Sequence, residues 1–152
     1  MGAADELSSS RIIFDENDIL FGSIRPYLHK VIIAPCKGVT NTSVFVIRAK
    51  DERFQAMLTT LLSSKNTINW ARQNSGGTKM PVIKWELFSK MPVISPDDET
   101  LQNFQQLVWP IVEVIKLETK RIRTLQEMKK LLLPKLISGE IDVSELDIEV
   151  TA

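Results

Sequence analysis

Hydrophobic positions along the chain change their period once, near residue 51, and that change divides it into two kinds of structure. From Arg11 to Lys50 the apolar residues come in short blocks. Ile12-Ile13-Phe14 and Ile19-Leu20-Phe21 are separated by the turn-forming Asp15–Asp18. Val31–Ala34 and Val44–Ile47 are β-branched runs bounded by Pro35, Gly38 and Asn41. Such blocks predict strands, and the lack of clean alternation predicts burial, or near burial, on both faces. After Asp51 the spacing turns helical. Phe54, Met57, Leu58, Leu61 and Leu62 form one amphipathic segment, with Asp51 and Glu52 at the end where the helix dipole favours acids. A second helix is expected from about Lys65 to Gln73, presenting Ile68 and Trp70 and stopping at Asn74-Ser75-Gly76-Gly77. Met80–Ile83 and Phe88–Ile94 then read as strands.

Ser95-Pro96-Asp97-Asp98 predicts a helix start, with Ser95 as cap, Pro96 in the first position and Asp98 completing the box. Leu101, Phe104, Val108, Ile111, Ile115, Ile122, Leu125, Leu132 and Leu136 follow in a heptad-like stripe. A helix from 97 to 138 would be roughly 60 Å long at 1.5 Å per residue. That exceeds what a domain of this size covers, so the stripe from Leu101 to Leu132 is expected to pack on another helix, from a second copy or a partner chain. Pro110 is a candidate kink and Gly139 a suitable stop. The predicted fold is α+β: a loose leader over 1–10, a small mixed-sheet domain with short helices over 11–95, a long coiled-coil-like helix over 96–138 and an acidic tail over 139–152.

The 152 residues, 43% hydrophobic and 25% charged, are ordinary for one folded domain. No uncharged apolar stretch reaches 18 residues, and the acidic start lacks the apolar core of a signal peptide. A single cysteine fits a cytoplasmic protein. The net charge of zero, 19 basic against 19 acidic residues, speaks at first against a polyanion as partner. Its distribution changes that. Residues 20–91 carry net +8 and 109–138 net +4, while 1–19, 92–108 and 139–152 carry −4, −3 and −5.

Catalytic chemistry has little to work with. His29 and Cys36 are the sole histidine and cysteine, no glycine-rich cofactor loop follows a strand, and neither a cofactor nor a metal is expected. Cys36 reads as a structural residue. Two basic segments stand out instead. Gly22–Thr42 interleaves Arg25, His29, Lys30 and Lys37 with turn residues. Lys65–Lys90 holds five cations against Glu86 alone, and its loop, Arg72 to Lys79, surrounds two glycines with side chains suited to phosphates and base edges. Arg72, Asn74, Thr78 and Lys79 are the first candidates for DNA contact, then Arg25, His29 and Lys30. Trp70 and Trp85 read as packing residues more than as base-stacking ones.

The order of these features resembles the target-recognition domain of the specificity subunit of type I restriction–modification enzymes. Asp18-Ile19-Leu20-Phe21-Gly22-Ser23-Ile24-Arg25-Pro26-Tyr27-Leu28-His29-Lys30-Val31 looks like that family's strand-and-turn segment, and Asn41–Arg48 like the strand after it. Leu61–Ser64, Ser75–Pro81 and Met91–Pro96 follow in the family's order, and Leu132–Ile141 is similar to many of its C-termini. At the start of the long helix, Ser95-Pro96-Asp97-Asp98-Glu99 replaces the family's Pro-Pro-Leu and Glu-Gln pattern. The resemblance spans about residues 16–142. It implies a non-catalytic subunit that holds half of a split target in double-stranded DNA. Methyltransferase subunits would then supply methyl transfer from S-adenosylmethionine, and a restriction subunit ATP-driven cleavage. With room for part of one recognition domain and one helix, the chain is expected to be a C-terminal piece, a truncated product or a half-subunit that pairs with a second copy. A helical dimerisation module with no DNA binding of its own is the alternative from the residues.

Overall fold

A computed structural model describes residues 11–141, which form two compact units, one reaching to Glu113 and the other beginning at Val114. The expected leader over 1–10 and most of the acidic tail lie outside the described residues. The α+β class is as the sequence implies, but the expected mixed sheet is corrected to two small sheets, in which every strand pairing described is antiparallel. β1 (Arg11–Phe14) pairs with β4 (Gly38–Asn41), Arg11 opposite Asn41. β2 (Ile19–Gly22) lies between β3 (Val31–Ile33) and β5 (Val44–Ile47), with Phe21 opposite both Val31 and Phe45.

Burial on both faces holds for β2, and β5 is half-buried at every position. β1 and β4 alternate between exposed and half-buried positions, so the expectation of doubly buried strands is corrected there. They form an outlying ribbon with one open face. β4 itself begins at Gly38 and ends at Asn41, the residues read as bounds of the neighbouring strands. Gly38 suits it because a Cβ at that position would run into the Phe14 ring across the pair.

One turn of 3₁₀ helix, Glu52–Phe54, leads into α1 (Gln55–Leu62). Asp51 starts it by accepting the Arg53 N–H at 2.9 Å. The Arg53 guanidinium beside Asp51 holds that carboxyl below the usual carboxylate range. α2 (Lys65–Gln73) has the predicted bounds, with Ser64 Oγ accepting the Thr67 N–H. Ile19, Phe21, Leu62, Ile68, Ala71, Ile83 and Phe88 form the core between β2 and these helices.

The expected strands at Met80–Ile83 and Phe88–Ile94 do not form. Val82 makes only isolated bridges, Trp85–Phe88 is a helical turn (α3), and 89–97 has no regular structure. Prolines at 81 and 92 withhold donors that a ladder would need. α4 runs from Asp98 to Ile137, 40 residues, and continues through Pro110. Its cap is Asp97 in place of Ser95: the carboxylate accepts both the Thr100 N–H and the Thr100 hydroxyl at 2.8 Å, which also holds its pKa down. Two residues of helix are thereby traded for the stronger acceptor. In the first unit α4 packs through Leu101 and Val112, both buried, and Gln105 Oε1 accepts the Ala56 N–H at the start of α1. The helix closes with the Gly139 N–H on Leu136 O. Among the described residues no helix is long and apolar enough to cross a membrane.

Candidate nucleic-acid interface

The two basic segments, Gly22–Thr42 and Lys65–Lys90, meet at Val82. Its N–H donates to Gly76 O at 2.8 Å and its carbonyl accepts the Gly76 N–H at 3.0 Å. On the other side Ile24 bridges to Val82, the Arg25 N–H donates to Pro81 O at 2.7 Å, and the Ile83 N–H donates to Ser23 O. The 74–79 loop and the Arg25–His29 turn therefore flank one short extended segment. That segment ends in the fully buried Ile83, which anchors it to the core.

Local chemistry explains the loop's form. Asn74 terminates α2, and its amide donates back to Trp70 O at 2.9 Å. Ser75 Oγ does the same to Ala71 O at 2.6 Å. Ser75 Oγ thus caps Ala71 O at the helix end, whereas Trp70 O takes the Asn74 backbone N–H at 3.1 Å as well as the side-chain amide. Gly77 takes φ +98°, a left-handed backbone that side chains resist. Arg72, Thr78 and Lys79 are exposed, and neither cation has a carboxylate partner among the described residues.

The Arg25–His29 turn is strained. Pro26–Leu28 is a single 3₁₀ turn, flanked by Arg25 at φ +49° and His29 at φ +52°. Left-handed non-glycine residues are uncommon and gather at binding sites. His29 Nε2 lies 2.8 Å from Ser63 O. A carbonyl only accepts, so this nitrogen carries the proton and the ring ties the turn to the end of α1. Lys30 is exposed beside Gly22, whose N–H donates to Lys30 O.

Lys84, one cation among several in the sequence, is placed by the fold between two concave surfaces. One is a cleft of about 430 Å³ lined by Asn74, Gly76, Val82 and Leu87, and the other is bordered by Phe45 and Trp85. A separate groove of about 460 Å³, between Leu61, Trp70, Met91 and Leu101, has no charged lining residue and offers nothing to a polyanion. Among the described residues no group of three or more His, Cys, Asp or Glu could hold a metal ion.

The predicted helix stripe divides. Leu101 is buried and Phe104 and Val108 are half-buried, whereas Ile111, Ile115, Ile122, Leu125 and Leu132 are exposed among the described residues.

Residues 6–131 match the family described as "Type I restriction modification DNA specificity domain". The chain is 39% identical over 70 residues to the type I restriction enzyme MjaIX specificity subunit of Methanocaldococcus jannaschii, which covers 46% of this chain and 16% of that protein. It is 26% identical over 144 residues to the EcoDI specificity subunit of Escherichia coli, 90% of this chain and 31% of that one. To the HindI specificity subunit of Haemophilus influenzae it is 31% identical over 103 residues, 67% of this chain and 22% of the relative. The chain thus spans less than a third of the length of each of these relatives. Since the family match takes in both basic segments, all five strands and most of α4, the chain belongs to the type I restriction modification DNA specificity domain family.

Proposed function

We propose that this chain is a DNA-sequence-reading part of a type I restriction–modification system in the cytoplasm. It is non-catalytic, and it directs methyltransferase and restriction subunits to their site. The observation that carries this reading is the junction at Val82, which joins the 74–79 loop to the Arg25–His29 turn. Arg72, Lys79 and Arg25 supply phosphate contacts, while Asn74, Thr78, His29 and Lys30 supply polar groups for base edges or backbone. Neutralised phosphates release counterions, so binding weakens steeply with salt.

A salt titration of duplex binding tests this. Replacing Arg72 and Lys79 together with alanine is expected to weaken binding and to flatten the log–log salt slope by about two, near 0.9 per lost phosphate contact. Unchanged binding at low salt would remove these residues from the interface.

A second reading, helical dimerisation without DNA binding, is favoured by one observation. Ile115, Ile122 and Leu125 are all more than half exposed on α4. Light scattering beside the same titration separates the two: a dimer with no duplex binding at any salt supports the second reading. Pairing of α4 with a helix of a second copy or of a methyltransferase subunit is compatible with both.

A further inference from the structure

We propose that Lys84 and Trp85 extend the DNA contact beyond the loop and the turn. Lys84 meets a backbone phosphate, and Trp85 lays its exposed indole on the adjoining deoxyribose. The inference rests on the DNA-reading function proposed above and adds two residues to it.

Trp85 is 48% exposed, although it belongs to the aromatic cluster of the core. It meets Phe45 edge to face at 5.2 Å and 69°, and Phe88 at 6.2 Å and 39°. Phe88 in turn packs on the buried Phe21 at 4.5 Å. The indole is therefore held against a rigid base of rings while part of it stays in water. An aromatic fixed in this way loses little freedom when it takes up a ligand, which is the condition under which a flat contact contributes most.

The position of Lys84 gives the surface its ligand. The side chain borders the cleft that holds Asn74 and Gly76, and also the cleft that holds Trp85, so it bridges the reading loop and the indole. It is exposed and has no carboxylate partner among the described residues. Glu86 borders the Trp85 cleft too, and its charge disfavours a phosphate there. That confines the anion to the Lys84 side and leaves the uncharged sugar to the indole. Alternating phosphate and sugar along a nucleic-acid strand matches this alternation of cation and aromatic ring.

The experiment adds a non-specific DNA duplex at low salt to the full chain, and follows binding by anisotropy of a label on the DNA and by tryptophan emission. In the wild-type chain, burying the Trp85 indole is expected to shift the emission to the blue. Trp85→Phe keeps an aromatic ring on Phe45 and Phe88, so it is expected to bind still, but without that shift. Lys84→Ala is expected to flatten the salt slope by about one phosphate contact, near 0.9. A shift that persists in Trp85→Phe, or an unchanged slope in Lys84→Ala, overturns this inference alone. A wild-type chain that binds no duplex at any salt overturns the function proposed above, and this inference with it.

Discussion

Gly76 and Val82 face each other across a closed ring of two backbone hydrogen bonds, at 3.0 and 2.8 Å. Between them the chain turns back within five residues, and the turn depends on one of its two glycines. Gly77 has φ +98°, and a Cβ there would lie 3.2 Å from Met80 O. Gly76 has no heavy atom within 4 Å of the same position. Gly77→Ala is therefore expected to cost about 1 kcal/mol or more in urea denaturation. Gly76→Ala should stay within about 0.5 kcal/mol of the parent. Equal effects at the two positions would show that the turn is not held as described.

Asp18 gives the strand region a pH dependence. The Arg48 guanidinium forks onto its carboxylate, Nε to Oδ1 at 2.7 Å and Nη2 to Oδ2 at 2.6 Å. The Asp15 N–H adds a third bond at 2.7 Å. The Arg48 hydrogen bonds hold the Asp18 pKa below the usual range, against the opposing effect of burial. A depressed folded pKa means that this stabilisation is fully present above the unfolded pKa of about 3.9. It is lost as pH falls from there through the folded value. Asp18→Asn is expected to lower stability by about 2 kcal/mol at pH 7. The gap from the wild type should close below about pH 4, as read by thermal melts across pH. A gap that stays constant to pH 2 would contradict the pairing.

Leu101 and Leu125 sit on the same helix and belong to the same predicted stripe, yet they should respond differently. Leu101 is 1% exposed, and its replacement by alanine is expected to cost about 2–5 kcal/mol. Leu125 is 56% exposed, so Leu125→Ala should change the stability of the isolated chain by no more than about 0.5 kcal/mol. Its effect is expected in light scattering, as weaker self-association or weaker capture by a partner helix. A large stability loss at Leu125 in a monomeric chain would place that residue in the chain's own core.

The bounds of α2, the first turn at Asp51 and the run of α4 were all legible in the residues, because caps and helical spacing act between positions one to four apart. The same local rules failed at the start of α4, where Ser95 is expected to cap and the Asp97 carboxylate, two residues on, takes the Thr100 N–H instead. They failed again at residues 80–94, where apolar character alone cannot tell a strand from a half-buried turn. The family was legible through the order of its motifs, and the basic middle of the chain emerged once charge was read by blocks.

Other relationships needed the third dimension. Nothing local says that Gly38–Asn41 will pair with Arg11–Phe14, that Val82 will bind both Ile24 and Gly76, or that the His29 ring will hold Ser63 O. All but the Gly76–Val82 turn join residues that no short-range spacing relates. Trp85 and Lys84 make the same point for the site: their neighbours in sequence describe a packing residue and one more surface cation. The sequence by itself determined the three longer helical segments, where the positive charge is concentrated and to which family the order of motifs points. Only the tertiary structure decided which cations share a surface and which apolar side chains of α4 are covered. Charge and periodicity are written one residue at a time, whereas a surface exists only after distant backbone groups have found their hydrogen-bond partners.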